Sequence, residues 1–223
     1  MNKNFDAYKI VGNLAKFYDS MMTNSGFLGQ SVLKIFWGLD AAAYQKFLAQ
    51  AFAGIPENFS GRLLEVPVGT GVLSLPVWQK LDGAEIFCVD YSEKMLDAAK
   101  KRATQMNLCG VKFLQGDVAN LPFADNFFDC VLSINGFHVF SDKEAAWKET
   151  YRVLRSGGIF CGCMYVKGEN RRTDTFVEKF CEPQGFFSPP YETFQTLKKN
   201  LGNRYSRADV THVESFAGFV CTK

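Results

Sequence analysis

Leu63-Leu64-Glu65-Val66-Pro67-Val68-Gly69-Thr70-Gly71 decides how the rest of the chain is read. Leu63 to Val66 reads as a strand, small residues follow, and a helical pattern runs from about Val72 to Leu81. A strand, a glycine turn and a helix in that order aim free backbone amides at whatever sits above the turn, which suits a carboxylate or another anion. Val68, Gly69, Thr70 and Gly71 are small enough for the backbone to approach a ligand closely. Glu65 stands where a carboxylate can meet a ligand ammonium. The same letters also describe a plain strand-to-helix turn, so the neighbouring text must decide.

Downstream the alternation repeats. Ile86 to Val89 is a second strand that ends at Asp90, and Ser92 caps a helix with Met95, Leu96 and Ala99 on one side. Val111 to Leu114, Phe128 to Ile134 and Ile159 to Tyr165 supply a third, fourth and fifth strand. Ser141-Asp142-Lys143-Glu144 matches a capping box, which predicts a helix to about Leu154, and Ser156-Gly157-Gly158 turns it into the fifth strand. Such alternation means parallel strands with right-handed crossovers and helices on both faces. Buried parallel strands read as continuous apolar runs, and these do. The fold class is therefore α/β, with a doubly wound sheet whose carboxyl edge gathers the ligand-binding loops.

Three features besides the glycine turn fall on that edge. Asp90 lies about twenty residues past the turn, where an acid can accept both hydroxyls of a ribose. Its alternative role, a helix cap, is already filled by Ser92. Gly116-Asp117-Val118 follows the third strand, where an acid can accept the exocyclic amine of adenine while Val118 packs on the ring; it also reads as a simple turn. Ser133-Ile134-Asn135-Gly136-Phe137-His138 closes the fourth strand.

Elsewhere the text is helical or mixed. Ile10, Val11, Leu14, Phe17, Tyr18 and Met21 recur at helical steps, Asn24-Ser25-Gly26 interrupts them, and Val32 to Trp37 is densely apolar. Asp40 caps a helix carrying Tyr44, Phe47, Leu48, Ala51 and Phe52, which stops at Gly54. Residues 1–58 are expected to form an N-terminal helical lid, and 59–223 one compact ligand-binding domain. Past Tyr165, helices are expected over Asn170–Phe180 and Tyr191–Asn200, then a hairpin of Arg207–Val213 with Phe216–Cys221.

Length and composition narrow the classes. A chain of 223 residues suits one domain with a small lid. Lys+Arg 25 against Asp+Glu 23 leaves +2, which gives no electrostatic case for nucleic acid or for an anionic membrane. No run reaches the ~20 apolar residues of a membrane span, and Met1 to Asp6 lacks the apolar stretch of a signal peptide. The 7 cysteines contain no C-x2-C pair, and Cys88, Cys130, Cys161, Cys163 and Cys221 fall in strand-like runs. These are expected to be reduced thiols of a cytoplasmic protein with no bound metal, inserted in no membrane.

The whole series resembles the class I S-adenosylmethionine (SAM)-dependent methyltransferases, most closely the small-molecule group that includes the ubiquinone/menaquinone-biosynthesis enzymes. The resemblance covers roughly Arg62 to Tyr165. It lies in the glycine turn, in Val89-Asp90-Tyr91-Ser92 with Met95, and in Gln115-Gly116-Asp117-Val118 followed by Leu121-Pro122-Phe123. It continues through Phe127-Phe128-Asp129 and Tyr151-Arg152-Val153-Leu154-Arg155-Ser156-Gly157-Gly158, and Phe17-Tyr18-Asp19 looks like the lid of that group.

It implies a Rossmann-like sheet of seven strands, the last antiparallel. It further implies SAM as cofactor, S-adenosylhomocysteine as product, and a small methyl acceptor, taken by a monomer or homodimer. The methionine end would lie on Glu65, Pro67, Val68, Gly69, Thr70 and Gly71, with a backbone contact from Asn135. The ribose would lie on Asp90 and Tyr91, and the adenine by Met95, Asp117 and Val118. One departure stands out: the family usually has glycine at Pro67. Proline has no amide to donate and fixes φ near −65°, so one backbone contact to the cofactor should be absent.

His138 lies near the expected methyl position and is a candidate catalytic base, or equally a packing residue. His212, in the closing hairpin, reads as structural. Phe176, Phe180, Phe186, Phe187 and Tyr191, with Tyr18 and Trp37, would wall an apolar or aromatic acceptor, or simply form core. Two rival readings remain at this point. Gly69-x-Gly71 with Asp90 also satisfies dinucleotide logic, hence an NAD(P)-dependent oxidoreductase, although only residues 166–223 remain for a substrate domain. Pro67 leaves room for a non-catalytic SAM-fold binding protein.

Overall fold

The structure is a computed structural model that describes residues 19–20 and 22–223. The helix expected around Ile10 to Met21, including Phe17 and Tyr18, falls outside the described residues apart from its end at Asp19 and Ser20.

The apolar runs become β1 (Gly61–Glu65), β2 (Ala84–Asp90), β3 (Val111–Gln115), β4 (Phe128–Ile134), β5 (Leu154–Tyr165), β6 (Arg207–Val213) and β7 (Phe216–Thr222). They form a 7-stranded sheet in the order β3-β2-β1-β4-β5-β7-β6. The first five pair in parallel, and β7 runs antiparallel to both β5 and β6. Chain order reverses direction between β1 and β4, which makes the carboxyl edge there a topological switch point. Register brings the ends level: Glu65 lies beside Cys88 and Leu132, and Asp90 beside Gln115.

The helices are α1 (Gly26–Trp37), α2 (Ala41–Phe52), α3 (Leu75–Trp78), α4 (Glu93–Gln105), α5 (Lys143–Val153), α6 (Arg171–Phe176) and α7 (Phe194–Arg204), and α6 passes into a π-helical turn, Val177–Cys181. Successive strand residues point to opposite faces, so Leu63 and Leu64 enter separate cores. Leu63 joins Trp78, Leu96, Leu132 and the α1–α2 side chains, while Leu64 joins Phe87, Val131, Trp147 and Phe219. The N-terminal helices therefore pack on the sheet itself. Gln50 of α2 donates from its amide to the Phe216 carbonyl at 3.0 Å.

Three local expectations shift. The cap of α5 is Asp142, not Ser141: its carboxylate accepts from the Ala145 amide at 2.9 Å. The helix read over Val72–Leu81 shrinks to α3, because Pro76 has no amide to continue a turn upstream and is tolerated only in the first turn. β5 starts at Leu154 rather than after the glycines, since the Gly157 amide donates to the Lys223 carbonyl and the Lys223 amide to that of Gly158. Asp40 and Ser92 cap their helices as read, and Asn170, expected as the first residue of its helix, is instead its cap.

All 7 cysteines are free thiols; six are buried, and Cys109 is exposed in the turn between α4 and β3. Among the described residues no helix is long and apolar enough to cross a membrane.

Gly162, in the middle of β5, shows how tightly β4 and β5 meet. It holds φ +147°, and a Cβ there would lie 1.9 Å from the Ser133 carbonyl oxygen. Gly162→Ala is expected to cost about 3 kcal/mol or more, since neither backbone can yield without breaking the ladder. Urea denaturation compared with the parent chain checks it; a loss below about 1 kcal/mol would contradict this packing.

Candidate active site

The glycine turn leaves β1 at Glu65 and rises over the carboxyl edge. Val68 donates its amide to the Val89 carbonyl, and Gly71 to that of Val68, which folds the turn back on β2. Gly69 has φ +56°, and a Cβ there would meet nothing within 4 Å, so open space lies above it. Pro67, joined to Val66 by a cis peptide, occupies the gap beside Gly136, where a Cβ would fall 2.5 Å from the proline Cδ. The proline thus packs between the β1 and β4 loops.

Asp90 ties these parts together. Its Oδ2 accepts from the Gly69 amide and its Oδ1 from the Ser92 amide, each at 2.8 Å. It is only 2% exposed. Burial pushes its carboxyl up to about 6 despite those two amides. Each oxygen retains a second acceptor direction, which suits a pair of hydroxyl donors. Next to it, the Gly116 amide donates to the Asp90 carbonyl, so Asp117 and Asp90 share one rim. Asp117 is exposed and accepts from the Ala119 amide through Oδ1 at 2.9 Å, while Val118 is buried. Met95 is buried under the α4 N-terminus, and Tyr91 is half exposed above it.

Glu65 stands apart from this rim. Its Oε2 accepts from Trp78 Nε1 at 2.8 Å and from the Cys88 thiol at 3.5 Å, beneath the turn in the helix layer. Burial pushes its carboxyl up to about 7, against the pull of neighbouring side-chain donors.

Asn135 ends β4 with φ +55° and donates its amide to the Cys163 carbonyl at 2.8 Å. His138, 4% exposed, accepts from the Tyr165 amide at Nδ1. An Nδ1 that accepts carries no proton, so Nε2 holds it and acts as a donor. Burial, and then the charge of Lys143, pulls the imidazole down to about 3, so it stays neutral at ordinary pH. The ring stacks on Phe187 at 4.2 Å. Phe187 in turn stacks on Trp37 of α1 and meets Tyr165 and Tyr191. Phe36 stacks on Phe176, and Phe176 on Phe180, at the outer side. These rings join α1 and the 176–191 segment beside the rim.

Sequence reading found Trp37, Phe176, Phe187 and Tyr191. It missed Tyr165, whose hydroxyl donates to Asp174 at 2.7 Å, because the residue looked like the tail of a strand. It also missed Lys143, which donates to the Phe140 and Ser188 carbonyls and fastens the two loops around His138. His212 is exposed on the β6–β7 hairpin, away from this cluster.

A family described as "Methyltransferase domain" matches residues 64–162, the stretch from β1 to mid-β5. The demethylmenaquinone methyltransferase of Thermotoga maritima is 37% identical over 164 residues, covering 71% of this chain and 69% of its own. That of Thermus thermophilus is 41% identical over 102 residues, 46% of each chain. The chain thus spans about half the length of some of the curated relatives it matches. A solved structure from Thermotoga maritima, described as a SAM-dependent methyltransferase and possible histamine N-methyltransferase, superposes with a TM-score of 0.67. At 21% identity, over 97% of this chain and 99% of that one, it shows the shared fold.

The chain belongs to the class I SAM-dependent methyltransferases. Within them it is of the ubiquinone/menaquinone-biosynthesis type.

Glu65 makes stability depend on pH. Its carboxyl ionises near 4.5 in the unfolded chain and near 7 in the folded one, so the folded state keeps the proton in between. Stability should therefore fall as pH rises from about 4.5 to 7 and level off above, with Asp90 adding a similar slope over a lower window. Glu65→Gln should shrink the stability difference between pH 5 and pH 8 by about 2–3 kcal/mol. Denaturant titrations at the two pH values check this, and an unaltered difference would count against the buried site.

Proposed function

We propose that this chain transfers the methyl group of SAM to a small apolar aromatic acceptor, of the kind a demethylated quinol offers. The observation that carries the reading is the shared rim of Gly69, Asp90 and Asp117 beside a wall of aromatic rings. The names of the demethylmenaquinone methyltransferase relatives support a quinol as the acceptor.

In this reading Asp90 accepts the ribose hydroxyls, Met95 and Val118 bracket the adenine, and Asp117 accepts its exocyclic amine. With the amides of Gly69, Gly71 and Asn135 already engaged inside the protein, the carbonyls of Gly69 and Asn135 accept from the ammonium of the methionine end, Gly71 lets the backbone come close, and the open space over Gly69 accommodates it. Pro67 contributes shape rather than a donor, and Tyr91 covers the ribose side. Glu65 acts from below through the turn; an ammonium held near it would favour its ionised form. SAM supplies a sulfonium-activated methyl group, so the chain's task is alignment and exclusion of water. Trp37, Phe187 and Tyr191 fix the plane of an acceptor ring. His138 stiffens that wall and offers a donor at Nε2; with its other nitrogen engaged, it works as an orienting group rather than a base. Of the N-terminal part, α1 serves as the lid over the site, on the 59–223 domain.

Calorimetry with S-adenosylhomocysteine tests the cofactor site. Binding by the parent chain and a loss of about 1.5–3 kcal/mol in Asp90→Ala are expected, from the charge-assisted bonds removed. Equal affinity in a folded variant would defeat the ribose role, and stabilisation by NAD(H) instead would defeat the family chemistry. Turnover is then measured on naphthoquinols, phenols, amines and thiols. Methylation of amines or thiols but no quinol would overturn the acceptor class; cofactor binding without transfer to any would mark a non-catalytic relative. His138→Ala should lower turnover less than tenfold while raising the acceptor KM. A loss of ~10²-fold or more at saturating acceptor would restore it as a base.

A further inference from the structure

Thr70 sits at the crest of the glycine turn yet is only 1% exposed. Its burial comes from two side chains that belong to neither strand beside it. Its hydroxyl donates to Asp19 Oδ1 at 2.5 Å, and its carbonyl accepts from Arg102 Nε at 3.1 Å. Arg102 closes the triangle by pairing its Nη2 with the other oxygen of Asp19. Helix side chains lean toward the N-terminus, which lets Arg102, three-quarters of the way down α4, reach back to the carboxyl edge. The ion pair is about three-quarters buried, with side-chain exposures of 29% and 22%.

The triangle spans three parts of the chain. Arg102 belongs to α4, the helix that follows Asp90. Thr70 belongs to the turn. Asp19 leads into α1, whose far end presents Phe36 and Trp37 to the aromatic wall. The segment between is held in turn, since Thr23 donates to the Asp19 carbonyl and the Tyr44 hydroxyl to that of Met22.

We propose that Asp19 and Arg102 are positioning residues that hold Thr70, and with it the Gly69–Gly71 turn, in its cofactor-binding shape while fastening the segment before α1 onto that turn. The inference rests on the cofactor reading above and extends it to residues that touch no cofactor atom. Because α1 also supplies the acceptor wall, cofactor affinity and acceptor affinity should weaken together when the triangle opens.

Asp19→Ala, Arg102→Gln and the double variant test it, with Arg102→Lys as the conservative change. Each single variant should raise the Kd for S-adenosylhomocysteine about tenfold and the acceptor KM severalfold, with kcat changed less than twofold. The double variant should be no worse than either single one, because both break the same triangle. Arg102→Lys, which keeps the charge, should recover part of the loss. Hydrogen exchange of the ligand-free chain supplies a second readout: amides at 69–71 and 19–23 should exchange at least tenfold faster in both single variants. If either variant fails to fold, Thr70→Val, lacking only the hydroxyl, carries the same two measurements. Unchanged exchange in a folded variant overturns the triangle whatever the ligand does, and so do effects that multiply in the double variant. Faster exchange in the variants, with a parent chain that binds no S-adenosylhomocysteine, would leave the triangle standing and remove the cofactor reading instead.

Discussion

One buried carboxylate organises the carboxyl edge. Asp90 is nearly sealed from water, and an ionised acid there is costly unless donors surround it. The Gly69 and Ser92 amides are those donors. The first pins the glycine turn to the end of β2; the second turns the chain into α4. In the proposed reading, ligand hydroxyls complete the set. Glu65, beneath the glycine turn, has been absorbed into the core by Trp78. Two acids that look alike in the sequence thus hold different offices, one facing the rim and the other bracing it.

Much of this was legible in the sequence. Continuous apolar runs punctuated by Gly, Asp and Ser gave the strands and their carboxyl ends, because buried parallel strands need no alternation and their edges need acids and small residues. Asp90, Asp117 and the turn meet on one rim for that reason. Other features were hidden for equally physical reasons. The short α3 depended on where Pro76 would be tolerated. The tautomer of His138 depends on the Tyr165 amide, 27 residues away. Arg102 reads as one more charged position on an amphipathic helix, and only its reach across to Thr70 and Asp19 distinguishes it. Tertiary partners of single side chains leave no periodicity to read.

In the proposed reading, the acceptor side is built differently from the cofactor side. The rim is made of backbone groups and two carboxylates, Asp90 and Asp117, at and just past strand ends, parts that vary little in position. The aromatic wall is made of rings borrowed from α1 and the 176–191 segment, held by Lys143 and by stacking. Stacked rings tolerate sliding, so the wall can adapt while the rim does not. His138 marks the boundary, with its backbone carbonyl accepting from the Ser188 amide on one side and its ring nitrogen accepting from β5 on the other.

The distribution of thiols has a practical side. Six cysteines are enclosed by strands and helices, and Cys109 alone stands at the surface, in the turn that leaves α4. A maleimide dye added to the native chain would thus attach at one address without any cysteine being replaced. That address lies on the loop after the helix that carries Arg102, so the emission of such a probe would report movements of α4 in solution.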